Sequence, residues 1–161
     1  MSLRLSLPGP ADTDALGAAL ARALPAEPVV AWLRGELGAG KSSLARALLR
    51  ELGVEGAIRS PTYTLIERYS PHGGDVLHLD LYRIAAAGEL EFLGLDDLRG
   101  EARLWLVEWP ERGASTLPAP DLEIRLALAG GGRAAELQES SEKGRAWLAA
   151  LSKMAGSGAS V

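Results

Sequence analysis

Residues 29–53 constrain this chain more tightly than any other stretch. Val29-Val30-Ala31-Trp32-Leu33 is a short apolar run that opens on strand formers. Gly35-Glu36-Leu37-Gly38-Ala39-Gly40-Lys41-Ser42 follows and fits G-x-x-x-x-G-K-[ST], the pattern of a phosphate-binding loop. Leu44-Ala45-Arg46-Ala47-Leu48-Leu49-Arg50 continues as an amphipathic helix to about Leu52, and Gly53 fits its C-terminal cap. Each residue type has a physical reason. Glycines let backbone N–H groups approach an anion closely. A helix starting near Gly40 points the positive end of its dipole at phosphates. Lys41 supplies a mobile cation, and the Ser42 hydroxyl can ligate Mg²⁺. The backbone from Gly38 through Ala39 and Gly40 to Ser43 is the expected nucleotide-binding surface. Lys41 is also one of only three lysines in the chain, the other positive side chains being arginines.

The rest of the composition bounds the partners. A chain of 161 residues is long enough for one domain with a substantial core, expected over 1–154, with a flexible small-residue tail over 155–161. The formal net charge of −4 argues against a protein that grips nucleic acid through a basic face. The absence of cysteine excludes disulfides, thiolate metal sites and a cysteine nucleophile. The N-terminus alternates too closely for a signal peptide, and no apolar run approaches the roughly 18 residues that a membrane helix needs. A cytoplasmic protein with no membrane contact is expected.

In chain order, Leu3, Leu5 and Leu7 alternate with polar residues as in a half-buried strand. Asp12 or Thr13 can cap a helix whose apolar face is Leu16, Ala19, Leu20, Ala23 and Leu24. Ser60 to Tyr69 reads as a strand with a polar entrance, turning at Ser70-Pro71-His72-Gly73-Gly74 into a second strand, Val76 to Leu81. Gly88 to Leu98 is helical material. Leu104-Trp105-Leu106-Val107 reads as a fully buried strand, stopped at Pro110. Leu122 to Leu128, a Gly130-Gly131-Gly132 turn and Arg133 to Gln138 form a hairpin; Ser140 or Ser141 then caps a last helix that buries Trp147, Leu148 and Leu151. The count is seven strands and four helices. Strand, loop and helix together demand an α/β P-loop NTPase fold: a three-layer core on a mixed parallel and antiparallel sheet, extended by a C-terminal β-hairpin plus helix.

A phosphate-binding loop needs a carboxylate for its metal, and two strands end in one: Asp80 and Glu108. Sites in open α/β sheets lie beyond the carboxyl ends of the strands, where such acids face the ligand. Leu104 to Glu108 is the better match to an apolar run closed by an acid; Asp80 shares its strand face with His78. Ser60-Pro61-Thr62 places two hydroxyls on a constrained loop, suited to capping or to sensing a terminal phosphate. Arg83 can face the phosphates or pair with a surface acid.

Several stretches together resemble one family. Gly35 to Ser42, Ser60-Pro61-Thr62-Tyr63-Thr64-Leu65, His78-Leu79-Asp80-Leu81-Tyr82-Arg83, Glu89-Leu90-Glu91-Phe92-Leu93-Gly94 and Leu106-Val107-Glu108-Trp109-Pro110-Glu111 look like TsaE (YjeE), in the same order and with similar spacing. The resemblance implies the small ATPase of tRNA threonylcarbamoyladenosine synthesis. It implies ATP and Mg²⁺ as cofactors and TsaB and TsaD as partners, with tRNA met indirectly through their complex. TsaD transfers the threonylcarbamoyl group to adenosine 37 of tRNAs reading codons that start with A. Carried over, Lys41 holds phosphates, Ser42 and Glu108 bind Mg²⁺, Asp80 acts near the metal or the attacking water, and Thr62 lies on a switch-like loop. Nucleotide contacts are also implied around Ala11 and at Gly132-Arg133. The family more often has Thr at the positions of Ser42 and Ser43, which keeps the hydroxyls; beyond Pro118 the likeness is one of pattern only.

Two other classes fit the loop less well. A small-molecule kinase needs an arginine-bearing lid, and residues 84–100 are acidic and apolar with one arginine. A GTP switch usually carries Asn-Lys-x-Asp, and that stretch is not in the sequence.

Overall fold

A computed structural model describes residues 1–98, 100–113 and 115–156. Of the tail expected over 155–161, residues 155 and 156 instead continue the C-terminal helix, and 157–161 lie outside the described residues. Seven strands form one sheet: β1 (Ser2–Leu7), β2 (Val29–Arg34), β3 (Ile66–Tyr69), β4 (Val76–Asp80), β5 (Leu104–Glu108), β6 (Leu122–Ala129) and β7 (Gly132–Glu139). Their order across the sheet is β1-β7-β6-β2-β5-β4-β3. β2 is parallel to both β5 and β6, and β4 is parallel to β5; the remaining pairs are antiparallel. The sheet is therefore mixed, with parallel strands in the middle and antiparallel ones at both margins.

Three helices cover one face: α1 (Pro10–Arg22), α2 (Lys41–Glu51) and a C-terminal helix running Glu142–Gly156. Leu16, Leu20, Leu44, Leu48, Trp147 and Leu151 from these helices meet Ala31, Leu33, Leu104, Leu106 and Ile124 from the sheet, all buried. The opposite face carries Trp32, Leu77, Leu79, Trp105 and Val107 beneath Ile84, Leu90 and Leu95. That third layer is thin. The helix expected over 88–98 is broken at Gly94 (φ 66°) into a 3₁₀ stretch, Ala87–Leu93, and one turn of α-helix, α3 (Leu95–Leu98). The C-terminal helix is α4.

Local chemistry explains most boundaries. α2 ends in a Schellman motif: Gly53, at φ 104°, donates to the Arg50 carbonyl at 3.0 Å, and Val54 donates to Leu49 at 3.1 Å. Ser141 caps α4, its Oγ accepting the Gly144 N–H at 3.0 Å. The start of α1 corrects the expected cap. Gly9 is the N-cap and Pro10 opens the helix; Asp12 sits inside the first turn and accepts the Gly9 N–H at 2.8 Å, while Thr13 is fully buried. The strand expected from Ser60 begins only at Ile66. Leu65 takes φ 68° and donates its N–H to the Pro61 carbonyl at 2.7 Å, so residues 61–65 close a turn instead of extending.

Candidate functional site

Side-chain alternation places Val76, His78 and Asp80 on the face of β4 that lies under α2, and Leu104, Leu106 and Glu108 on the same face of β5. Asp80 and Glu108 are register partners on neighbouring parallel strands, so two carboxylates stand side by side at the sheet's carboxyl edge. The start of α2 faces them. Gly40 is its N-cap at φ 109°, a left-handed conformation that favours glycine, and a Cβ there would lie 2.8 Å from an Arg133 guanidinium nitrogen, which would have to move aside. Lys41 and Ser42 are the first two helical residues.

Lys41 is buried beside the acids. Its Nζ donates to the backbone carbonyls of Gly35 and Glu36 and lies 4.3 Å from the centre of the Trp109 ring. Burial pushes its ammonium below the ordinary lysine range, against the opposing pull of Glu108, Asp80 and Glu111. Trp109 reaches this place because it takes φ 57° straight after β5, before the 3₁₀ turn Pro110–Arg112.

Glu108 is 2% exposed and accepts on both oxygens: from Ser42 Oγ at 3.1 Å on Oε1, and from His78 Nε2 at 2.7 Å on Oε2. Asp80 accepts the Tyr82 N–H at 3.0 Å and the Thr62 hydroxyl at 3.3 Å. Burial holds the Asp80 carboxyl above the usual carboxylate range, and the neighbouring Glu108 charge adds to the rise. Thr62 also shares a 2.8 Å hydrogen bond with Ser60.

These groups enclose a cleft of about 220 Å³. Gly38, Gly40, Lys41, Ser42, Ser43, Thr62, Asp80, Glu108 and Arg133, all named from the sequence, line it together. Arg133 crosses from β7 to reach Thr13 Oγ1 at 3.4 Å and the Gly38 carbonyl at 3.5 Å. Three named residues stand apart from that lining. Ala39 is buried in the core behind the loop; Ala11 is exposed on the first turn of α1; Gly132 lines a smaller neighbouring hollow of about 160 Å³ with Gly9 and Pro10. Arg83 is exposed and stacks on Tyr63 at 4.3 Å, away from the cleft. Sequence reasoning did not connect His78 to Glu108 or Trp109 to Lys41. The first contact needs the strand register, and the second needs the positive φ at 109.

The chemistry open to this arrangement is narrow. The N–H groups at the start of α2 with Lys41 and Arg133 suit a polyphosphate. Ser42 Oγ and Glu108 Oε1 are hard oxygen donors 3.1 Å apart. Among the described residues no group of three or more His, Cys, Asp or Glu is placed to hold a metal. A hydroxyl and one carboxylate are the donor set that binds Mg²⁺ jointly with substrate phosphates, not a closed protein cage.

Comparison with known proteins follows the same lines. The family model described as "Threonylcarbamoyl adenosine biosynthesis protein TsaE" matches residues 7–135. The chain is 38% identical to the tRNA threonylcarbamoyladenosine biosynthesis protein TsaE of Haemophilus influenzae, across 77% of this chain and 78% of that one. It is 40% identical to the TsaE protein of Streptomyces coelicolor, across 76% and 84%. The crystal structure of Bacillus subtilis YdiB superposes with a TM-score of 0.82 at 26% identity, covering 96% of this chain and 97% of that one. Among the described residues no helix is long and apolar enough to cross a membrane.

Proposed function

The chain belongs to the TsaE family, and from that membership and the cleft we propose that it is a Mg²⁺-dependent ATPase serving tRNA threonylcarbamoyladenosine synthesis in the cytoplasm. One observation carries the reading: Lys41 and Ser42, at the start of a helix, face two strand-end carboxylates across a cleft that Arg133 also lines.

The residues divide the work as follows. The N–H groups from Gly38 to Ser43 receive the phosphates at the positive end of α2. Lys41 exchanges its bonds to the Gly35 and Glu36 carbonyls for the β- and γ-phosphates. Ser42 and Glu108 would hold Mg²⁺, which would supply positive charge to neutralise the phosphates. Asp80, within hydrogen-bond reach of Thr62, orients the water that attacks the γ-phosphorus, with ADP as the leaving group. Thr62 and Ser60 lie on a turn joined to Asp80 by one long hydrogen bond, which suits a loop whose position depends on the γ-phosphate. Arg133 assists on the loop side, and the Gly132 turn and the start of α1 near Ala11 flank the nucleotide.

TsaD and TsaB are the proposed partners, and hydrolysis drives their modification of tRNA, which this chain meets through the complex. The acidic balance of the chain supports that indirect role. The test is ATP turnover by the purified protein with Mg²⁺, alone and with TsaB and TsaD. Slow turnover alone and a large rise with both partners are expected; a cation contributed in trans is worth about 10³–10⁵ in rate. Fast, saturating turnover by the protein alone, unmoved by the partners, would overturn the reading in favour of a self-contained enzyme.

A further inference from the structure

His78 is a buried polar residue beside the cleft that the proposed mechanism leaves unused. It is 2% exposed, two positions before Asp80 on β4, and level with Leu106 rather than Glu108 in the strand register. Its contact with Glu108 is therefore diagonal. The Glu108 side chain leans back along the sheet, and its Oε2 meets His78 Nε2 at 2.7 Å. The other ring nitrogen, Nδ1, is buried and finds no hydrogen-bond partner among the described residues. Among the described residues the imidazole therefore makes one hydrogen bond, to this carboxylate; with Glu108 ionised, Nε2–H donates and Oε2 accepts.

The contact matters because glutamate is a loose ligand. It has one more side-chain torsion than aspartate, and an unrestrained carboxylate rotates between several positions. Here both oxygens are engaged: Ser42 Oγ lies 3.1 Å from Oε1 and 3.4 Å from Oε2, and His78 adds a second partner to Oε2 alone. His78 holds Oε2 from the sheet side and leaves Oε1 as the oxygen nearer Ser42 Oγ. We propose that His78 is a positioning residue for the metal site: it orients the Glu108 carboxylate so that Oε1 and Ser42 Oγ are presented together to a divalent cation. This rests on the Mg²⁺-dependent ATPase reading above. It gives His78 a role in cation affinity and none in phosphate binding, which belongs to the start of α2.

Three variants separate positioning from simple packing. His78→Leu removes the donor and keeps an apolar side chain of similar bulk. His78→Asn keeps a polar group but places its amide short of Nε2. His78→Gln can place an amide N–H near the lost Nε2–H. Two readouts are needed: Mn²⁺ binding to the ADP complex by electron paramagnetic resonance, and ATP binding in excess chelator. His78→Leu and His78→Asn are expected to weaken Mn²⁺ binding by about 10–100-fold, as loss of an outer partner to a metal ligand commonly does. Metal-free ATP binding should be unchanged, and His78→Gln should recover most of the cation affinity. Parental Mn²⁺ affinity in folded His78→Leu overturns the proposal, as does a Gln variant no better than Asn. If His78→Leu fails to fold, the Asn–Gln contrast carries the test alone. If all variants lose metal-free ATP binding with the cation, His78 is only a packing residue. If the parent protein itself binds nucleotide with no divalent-cation dependence, the ATPase reading falls first and this inference with it.

Discussion

The crossing of α1 and α2 gives a prediction whose magnitude can be worked out. Gly17 lies on the buried face of α1, and a Cβ there would sit 2.6 Å from the Leu44 carbonyl oxygen and 2.9 Å from the Ala47 Cβ on α2. Ordinary contact begins near 3.4 Å, and neither neighbour can rotate away, one being backbone and the other a methyl. Gly17→Ala must therefore push the two helices apart. Overpacking of this kind costs about 1–3 kcal/mol, and contact with a rigid carbonyl points to the upper part of that range. Against it stands the better helix propensity of alanine, about 1 kcal/mol in the opposite direction. The net expectation is a loss of about 1–2 kcal/mol. For a domain of this size each kcal/mol moves the midpoint by about 2–4 °C, so the melting temperature should fall by about 2–8 °C. Thermal unfolding by circular dichroism, with urea unfolding as a check on two-state behaviour, measures it. A variant as stable as the parent, or more stable, would mean that propensity outweighs contact and that the crossing is looser than these distances say. Because α2 begins at Lys41, the same shift should also weaken ATP binding, with no residue of the cleft altered.

Two further predictions concern the cleft itself. Lys41→Ala should abolish productive ATP binding, since it removes the one lysine of the loop; isothermal titration giving an unchanged dissociation constant together with unchanged hydrolysis would exclude the loop as the site. Asp80→Asn should cut turnover while ATP still binds, and it should stabilise the nucleotide-free and metal-free protein at neutral pH. The sign follows from the raised carboxyl: the folded protein holds that proton more tightly than the unfolded chain, so ionised Asp80 costs stability above its folded pKa. The advantage of the variant should therefore shrink as the pH falls and vanish below about pH 4, where the unfolded carboxylate also protonates. A variant less stable than the parent at pH 7 would contradict it.

How much of this was legible in the sequence depended on whether the signal was local. The loop from Gly35 to Ser42, the Gly53 cap and the acid closing Leu104 to Glu108 each carry their reason within a few residues, and each is found where the pattern puts it. The alternation on β4 correctly separated Val76, His78 and Asp80 from the leucines between them. The misreadings arose where a single backbone angle decides. Leu65 at a positive φ turned an expected strand into a closed turn, and nothing about a leucine announces that. Gly94 at φ 66° split an expected helix although the apolar spacing ran through it. Arg133 and Thr13 are 120 positions apart, so their meeting over the loop is invisible to periodicity; the family resemblance pointed to Gly132-Arg133 where the physical pattern could not. The link from His78 to Glu108 likewise needs the register of two strands that are not consecutive in the chain.

The strand order also sets a timetable for folding. β2, at the centre of the sheet, pairs with β5 and β6, and β1 pairs with β7, so Ala31 waits for Leu106 and Leu122, and Leu5 for Ala135. Pairings of such sequence separation form slowly, while the α1–α2 contact closes over a short span. The helical pair should therefore gain protection early and the sheet late; pulse-labelled hydrogen exchange showing β2 amides protected before those of α1 and α2 would reverse this order. On a ribosome the consequence is sharper. Lys41 emerges before Asp80 and Glu108, and Arg133 after them all, so the newly made chain carries the Gly35–Ser42 loop well before the other walls of the cleft exist.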